Sequence, residues 1–249
     1  GKEPTGELRW KAPQDPDPWK ETKEVKAKEE VALQSASVKN DKGETEIQAV
    51  GSTNCLNLDI YTEKDAKDLP VIVFVHGGNN QTGNSFEIPG YDMVKTDKVV
   101  YVSLNYRLGL LGFNNLPAIL DSDNPTGNFA MLDLAKALTW VRENIANFGG
   151  DSKNVTITGF SAGGRDVMAM LLSPQFEGLF DKAIAYSGGM TIADSDASVK
   201  KIAETIAPLV VEDKVKATEE EAAAWLAEDT KEVADYLNNL SEDRLIKLF

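Results

Sequence analysis

The stretch Gly159-Phe160-Ser161-Ala162-Gly163-Gly164 decides the fold of this chain. It follows an apolar alternation at 155–158 that predicts a strand, and it precedes an apolar segment at 167–172 that predicts a helix. Glycines two positions before and after the serine let a sharp strand-to-helix turn close without a Cβ clash. Because such a turn exposes the hydroxyl at the end of a sheet, Ser161 is a candidate nucleophile. The alternative is an ordinary Gly-Ser turn on the surface.

Backbone N–H groups near this turn are candidate donors to an oxyanion. Ala162 begins the predicted helix, where N–H groups lack intrahelical acceptors and lie at the positive end of the helix dipole. The apolar run Val71–Val75 predicts a buried parallel strand, and it ends in His76-Gly77-Gly78-Asn79-Asn80. Paired glycines after a strand allow close backbone approach, so this loop could donate N–H groups to a tetrahedral intermediate. The alternative is an ordinary glycine turn.

The remaining pattern alternates strands with helices. Strands are predicted near 55–61, 71–76, 99–104, 155–158 and 183–186, and helical spacing runs through 128–147. This alternation predicts the α/β class, with a mostly parallel sheet, helices on both faces and one domain. The acidic segment 195–249 is predicted to be helical, as a lid or a docking region, with apolar positions at Ile202, Ile206, Leu209, Trp225, Leu226, Val233, Leu237, Leu245 and Leu248.

Residues 1–50 are charged and weakly patterned. Trp10 and Trp19, each near prolines, are interpreted as packing anchors. The run Glu21–Glu30 is interpreted as solvated charge, and Asn40–Gly43 as a turn.

Composition excludes several classes of function. The net charge of −14 over 249 residues argues against binding to nucleic acid and against attraction to anionic lipid. A single cysteine excludes an intrachain disulfide framework and a cysteine-rich zinc site. No metal or cofactor is expected. No stretch is long and apolar enough to cross a membrane, and no signal peptide is visible. The start of the chain looks trimmed, however, so the compartment stays open.

Many ordered blocks resemble the type-B carboxylesterase/cholinesterase family of α/β-hydrolases. They are 6–13, 55–61, 105–109, Gly112-Phe113, Gly127-Asn128, Leu132-Asp133, Ala137-Leu138, Trp140-Val141, Asn144-Ile145, 148–151, 154–157, the Ser161 turn, 178–180, Ala183-Ile184 and Ser187-Gly188. The resemblance implies an α/β-hydrolase sheet, incomplete at both ends of this chain. It also implies a serine esterase that acts on a small-molecule ester through an acyl-enzyme.

The resemblance assigns roles to individual residues. Ser161 is the nucleophile, and the N–H groups of Gly78, Asn79 and Ala162 form the oxyanion hole. Gly77 and His76 belong to the loop that carries this hole. Arg107 and Asp133 resemble a structural ion pair beneath the site.

The sequence departs from the family pattern at several positions. Asn79 stands where a glycine or alanine is usual, and Phe160 replaces an acidic residue, which makes choline esters poor candidates. Thr53-Asn54 replace an acidic pair, which deprives Arg9 of its usual partner. Ala32 stands where the family often has the disulfide partner of Cys55, so we expect a free, buried thiol.

The family's catalytic histidine and acid come late in the chain, and this sequence ends before them. His76, its one histidine, matches the oxyanion loop instead of the catalytic base. We therefore interpret residues 1–249 as the N-terminal portion of a single catalytic domain, whose partner is the remaining C-terminal half. The alternative is a protein that has dispensed with that half. A catalytically silent, cholinesterase-like binding or adhesion module also remains open, although Ser161 is retained, as does a structural fragment that is inactive in isolation.

Overall fold

The computed structural model describes residues 1–21, 31–122 and 124–248, so the charge run interpreted above lies outside the described residues after Glu21. The strands found there are β1 (Gln34–Lys39), β2 (Thr45–Val50), β3 (Leu58–Tyr61), β4 (Leu69–Val75), β5 (Val100–Leu104), β6 (Gly150–Phe160) and β7 (Lys182–Tyr186). The helices found there are α1 (Tyr91–Asp97), α2 (Gly109–Gly112), α3 (Phe129–Asn144), α4 (Ala162–Leu172), α5 (Ser195–Glu212), α6 (Glu219–Leu226), α7 (Lys231–Asn238) and α8 (Glu242–Ile246).

The central sheet has the strand order β3-β5-β4-β6-β7. β3 runs antiparallel to β5, whereas the other neighbours are parallel, with Val71 paired to Val100 on one side and to Val155 on the other. Short β-branched runs suit these central strands because both of their faces are buried. The predicted mostly parallel sheet is confirmed.

Helices cover both faces of this sheet. Val73 and Val75 point to the face on which α3 and α4 pack, in a core that includes Leu138 and Val167. The alternate residue Phe74 points to the other face and packs against α1. Alternation along a strand produces this division. The face predicted for the helix around 128–147 is buried as expected, at Leu132, Ala135, Leu138 and Val141.

A second core joins the C-terminal helices to the start of the chain. The apolar positions predicted in 195–249 all belong to it, fully or partly buried. Trp10 lies at its centre and donates from Nε1 to the carbonyl of Leu110 at 2.9 Å. The inner face of these helices is therefore covered by residues of the same chain. A role as a lid or a docking region stays a prediction.

Two features of the N-terminal third differ from what the sequence predicts. Trp19 is not a packing anchor, because it is 57% exposed. β1 and β2 form an antiparallel hairpin around the predicted turn at 40–43, although their sequence shows no clear alternation. Gln34, at the start of β1, is buried and bonds to both the N–H and the carbonyl of Gly83. The hairpin thus contacts the loop that follows β4.

Candidate active site

Ser161 lies between β6 and α4 in a strained backbone conformation. Its φ is 57° and its ψ is −117°, values that a residue with a side chain rarely adopts. Its N–H donates to the carbonyl of Tyr186 at 2.9 Å, and its carbonyl accepts from the N–H of Arg165 at 3.0 Å. Both backbone polar groups of the strained residue are therefore anchored, the N–H to β7 and the carbonyl to α4. The sharp strand-to-helix turn predicted from the sequence is present.

The glycines around Ser161 are required by close backbone contacts. A Cβ on Gly159 would lie 2.3 Å from the backbone of Gly163, and one on Gly163 would lie 2.1 Å from the carbonyl oxygen of Val75. These distances are too short for any side chain to fit without moving backbone. The first turn of α4 thus packs directly on the ends of β4 and β6.

The loop after β4 reaches the same end of the sheet as Ser161. A Cβ on Gly77 would lie 2.7 Å from the carbonyl oxygen of Phe160 and 3.3 Å from the Cβ of Ser161. Gly78, Asn79 and Asn80 follow with φ values of 96°, 57° and 57°. Asparagine tolerates this left-handed region better than most residues, which explains how Asn79 fits a position where glycine is common in the family it resembles. Gly78, Asn79 and Ala162 therefore lie on the two segments that meet at Ser161.

His76 is a buried neutral residue of this loop. Burial lowers the pKa of His76 to about 4, and its ring stacks on Tyr106 with centroids 4.5 Å apart. Nδ1 lies 2.9 Å from the carbonyl oxygen of Gly77, which can only accept, so Nδ1 carries the proton. Nε2 is buried and has no hydrogen-bond partner among the described residues. Neither ring nitrogen bonds to Ser161, which agrees with the expectation that His76 is not the base.

Arg107 and Asp133 form the expected buried ion pair. Nε and Nη2 of Arg107 donate to the two carboxylate oxygens at 2.8 and 2.7 Å, and both side chains are 2% exposed. Nη1 and Nη2 also donate to the carbonyls of Arg9 and Lys11. The pair therefore holds the N-terminal segment, at Arg9 and Lys11, against α3. Arg107 directly follows Tyr106 in the chain. Among the described hydrogen bonds the pair makes none to Ser161, and its structural role stays a prediction.

Arg9 has found other acceptors in place of the acidic pair that the sequence lacks. Its guanidinium donates to the carbonyls of Leu237 and Leu240 at 2.7 Å each. Carbonyls at the end of a helix carry the negative end of its dipole, so a buried cation is favourable there. Thr53, at the substituted position, donates instead to Glu3 at 2.7 Å.

Asp166 is a buried carboxyl that was not singled out from the sequence. Asp166, in the second turn of α4, is 4% exposed and accepts from the side chain of Asn80 at 3.0 Å. Burial raises the pKa of Asp166 to about 6, although the bond from Asn80 and the charge of Arg165 oppose this shift. A carboxylate directly before the apolar segment 167–172 was the signal that could have revealed it, since aspartate is rarely buried without a partner.

A cleft of about 830 Å³ adjoins these residues. Asn79 and Asn80 line it from the loop, and Arg165 and Asp166 line it from α4. Ser161, Gly78 and Ala162 do not line it, so the cleft lies beside the candidate nucleophile and does not enclose it. Phe160 is 52% exposed and presents an apolar surface next to Ser161.

The described part of the chain was predicted to hold no metal, no membrane span and a free thiol. It contains no group of three or more His, Cys, Asp or Glu side chains placed to hold a metal ion. None of its helices has the length and hydropathy needed to cross a membrane. Cys55 is a free thiol that is 2% exposed, as expected, and burial raises its pKa to about 12.

Comparison with known proteins identifies the class. The model of the carboxylesterase family matches residues 1–249. The chain is 34% identical to the para-nitrobenzyl esterase of Bacillus subtilis, covering all of this chain and 50% of that protein. It is 38% identical to a liver carboxylesterase of Sus scrofa, covering 81% of this chain and 38% of that one. The chain therefore belongs to the carboxylesterase family.

Solved structures agree with this assignment. A para-nitrobenzyl esterase superimposes with a TM-score of 0.79 at 32% identity, over 99% of this chain and 47% of that one. A carboxylesterase of Geobacillus stearothermophilus gives 0.78 at 29%, over 99% and 48%. The fold is that of the α/β-hydrolase esterases. It spans between 34% and 50% of the length of the curated relatives considered.

Proposed function

We propose that residues 1–249 are the N-terminal portion of a serine carboxylesterase that acts through an acyl-enzyme at Ser161. The observation that carries the proposal is the strained turn at Ser161, set against the loop of Gly77 and Gly78. A strained, partly exposed serine between a strand and a helix, held by close glycine contacts, is typical of a nucleophile. A silent binding module would have no need to retain both the serine and the strained loop.

In this mechanism Ser161 Oγ attacks the ester carbonyl and gives its proton to a histidine outside these residues. The N–H groups of Gly78, Asn79 and Ala162 donate to the oxyanion of the tetrahedral intermediate. Its collapse releases the alcohol, which takes the proton, and leaves the acyl group on Ser161. Water then attacks the ester bond of the acyl-enzyme, releases the acid and restores the hydroxyl. A carboxylate, also outside these residues, orients the histidine.

The exposed edge of the sheet is the proposed contact for the remaining half of the protein. β7 ends the described sheet, and its Ile184 and Tyr186 are 44% and 58% exposed. Leu172, on the adjoining α4, is 70% exposed. Parallel sheets are normally covered on both faces, and about half of each relative's chain lies outside the matched part. Completion of this edge by that part would bring the histidine and acid to Ser161.

Covalent labelling tests the proposal. The longer protein should react with a fluorophosphonate at one site, with the mass increase on the peptide that contains Ser161. Ser161→Ala should abolish both labelling and hydrolysis of p-nitrophenyl acetate, whereas Ser198→Ala, on the surface of α5, should change neither. Labelling that persists in Ser161→Ala would show that the nucleophile is elsewhere.

A further inference from the structure

Three side chains from three parts of the fold meet behind the candidate oxyanion loop. The amide of Asn80 donates to Asp166 at 3.0 Å. The hydroxyl of Tyr106 donates to the carbonyl of His76 at 2.9 Å and lies 3.2 Å from the amide oxygen of Asn80. Tyr106 is fully buried and Asp166 is 4% exposed. A series of polar contacts therefore connects Asp166 on α4, Asn80 in the loop, the hydroxyl of Tyr106 and the carbonyl of His76 at the end of β4.

This contact restrains a segment whose backbone is strained. Gly78, Asn79 and Asn80 have positive φ in succession. Such conformations persist only where surrounding contacts hold them. The backbone of Asn80 is held by the N–H of Gly109, which donates to its carbonyl at 2.7 Å. Its side chain is held by Asp166, which belongs to the helix that begins at the nucleophile.

The burial of Asp166 makes its contact with Asn80 important. A carboxylate buried at this depth costs solvation free energy, so its presence requires a compensating interaction. The amide of Asn80 supplies a donor, and the charge of Arg165 acts in the same direction. Tyr106 is the other titratable group that faces the network, and Glu87 acts on Tyr106 in turn. An apolar residue would be the simpler choice here if no donor had to be held.

We propose that Asp166 is a positioning residue that, through Asn80, holds the N–H groups of Gly78 and Asn79 in place over Ser161. This inference rests on the proposed esterase function. Asp166 does not touch substrate in this scheme. It joins the two segments that make up the oxyanion hole, so that a shift of the loop relative to α4 is prevented.

Substitutions of Asp166 in the longer protein separate positioning from simple stability. Asp166→Asn keeps an oxygen that can accept from Asn80, whereas Asp166→Val removes it. When rates are divided by the concentration of active sites titrated with a phosphonate, Asp166→Val should lower kcat by roughly 10- to 100-fold with KM nearly unchanged. The affinity for a trifluoromethyl ketone, whose adduct places an oxyanion in the hole, should fall by a similar factor. Asp166→Asn should recover most of both losses. Val141→Ala, a core change in α3, is the control for lost stability and should alter neither quantity.

A second route does not depend on activity or on the folding of Asp166→Val. Asn80→Gly tolerates the positive φ but lacks the side-chain amide, so it should lose kcat and ketone affinity as Asp166→Val does. Adding Asp166→Asn to Asn80→Gly should not restore either quantity. In the 249-residue chain, amide hydrogen exchange at residues 78–82 should be faster in Asn80→Gly than in the parent.

The outcomes separate the two proposals. A longer protein that neither hydrolyses esters nor binds the ketone would refute the proposed function, and the exchange comparison would still decide on the loop. Normal kcat and ketone affinity in Asp166→Val, unchanged exchange in Asn80→Gly, or an Asp166→Asn variant as impaired as Asp166→Val would overturn the positioning role.

Discussion

Gly77 and Ser161 face each other across the ends of β4 and β6, so closely that a Cβ on Gly77 would lie 3.3 Å from the Cβ of Ser161. A Cβ on Gly77 would come within 2.7 Å of the carbonyl oxygen of Phe160, which is backbone and cannot turn away. The closeness of the two segments brings the loop N–H groups to the serine. It also makes Gly77 sensitive to the smallest substitution.

Gly77→Ala should therefore destabilise the chain by about 1–3 kcal/mol and lower esterase activity in the longer protein, because the loop must move away from Ser161. Denaturant unfolding and p-nitrophenyl acetate hydrolysis measure the two effects. Gly189→Ala is the control, since its Cβ would meet no atom within 4 Å. Equal stability and activity of the two variants would show that the contact at Gly77 is relaxed at little cost.

Removal of one partner from the buried ion pair should be costly. Arg107→Met leaves the Asp133 carboxylate buried without its cation and should lower the free energy of unfolding by about 3–5 kcal/mol. The double variant Arg107→Met/Asp133→Leu should recover part of this loss. Lys231→Met removes an ion pair in which Lys231 is 86% exposed, and it should cost less than about 1 kcal/mol. A single variant no less stable than the double would contradict this account.

His76 and Asp166 should give opposite pH dependences of stability in nearly the same range. The pKa of His76 is lowered from 6.5 to about 4, so its contribution is present above pH 6.5 and is lost as pH falls towards 4. The pKa of Asp166 is raised from 3.8 to about 6, so the cost of its buried charge is present above pH 6 and disappears as pH falls towards 3.8. The two effects therefore largely cancel in the parent chain.

Single variants should reveal each of these effects. From pH 6.5 to 4, Asp166→Asn should lose about 3 kcal/mol of unfolding free energy relative to the parent, and His76→Gln should gain about as much. Denaturant titrations at several pH values measure both slopes. Parallel curves for parent and variants would contradict the assigned pKa shifts.

At neutral pH, His76→Gln should change turnover only modestly, whereas a loss of several orders of magnitude would identify His76 as the base.

The 249-residue chain alone should be nearly inert towards p-nitrophenyl acetate, whereas the longer protein should hydrolyse it. His76 is engaged with Gly77, so no histidine of this chain is placed to deprotonate Ser161. Single-turnover acylation of both proteins under identical conditions makes the comparison. Rates in the chain that match the longer protein and vanish in Ser161→Ala would show that the catalytic residues are complete without the remainder.

Self-association should accompany this inactivity. The exposed apolar residues at β7 favour contact between copies of the isolated chain. Ile184→Lys/Tyr186→Lys should shift the chain towards monomer in light scattering, because the charges oppose pairing at this edge. Ile47→Lys, on β2, removes a residue that is 69% exposed elsewhere and should have little effect. A parent chain that is monomeric at high concentration would contradict the prediction.

Local patterns carried most of what the sequence could predict. The strand before Ser161, the glycines around it and the apolar face of α3 are each encoded within a few residues. The loop at Gly77 and Gly78 was found for the same reason. The sequence resemblance added the pairing of Arg107 with Asp133, which local spacing alone does not reveal.

Contacts between distant segments account for what was missed. Asn80 and Asp166 are 86 positions apart, and Arg9 and Leu237 are 228 apart, so no local period relates them. Trp19 shows the converse, because a large aromatic residue near prolines was predicted to be a packing anchor but is 57% exposed. The hairpin of β1 and β2 escaped notice since its faces are mostly solvated, and an alternating pattern arises only where one face is buried.

Cys55 makes this chain suited to chemistry at a single chosen thiol. Its pKa of about 12 leaves almost no thiolate at neutral pH, and its burial limits access, so maleimides should not react with it. A cysteine introduced at Tyr186 would then be the reactive one. Its rate of labelling would show directly whether a second segment packs along β7.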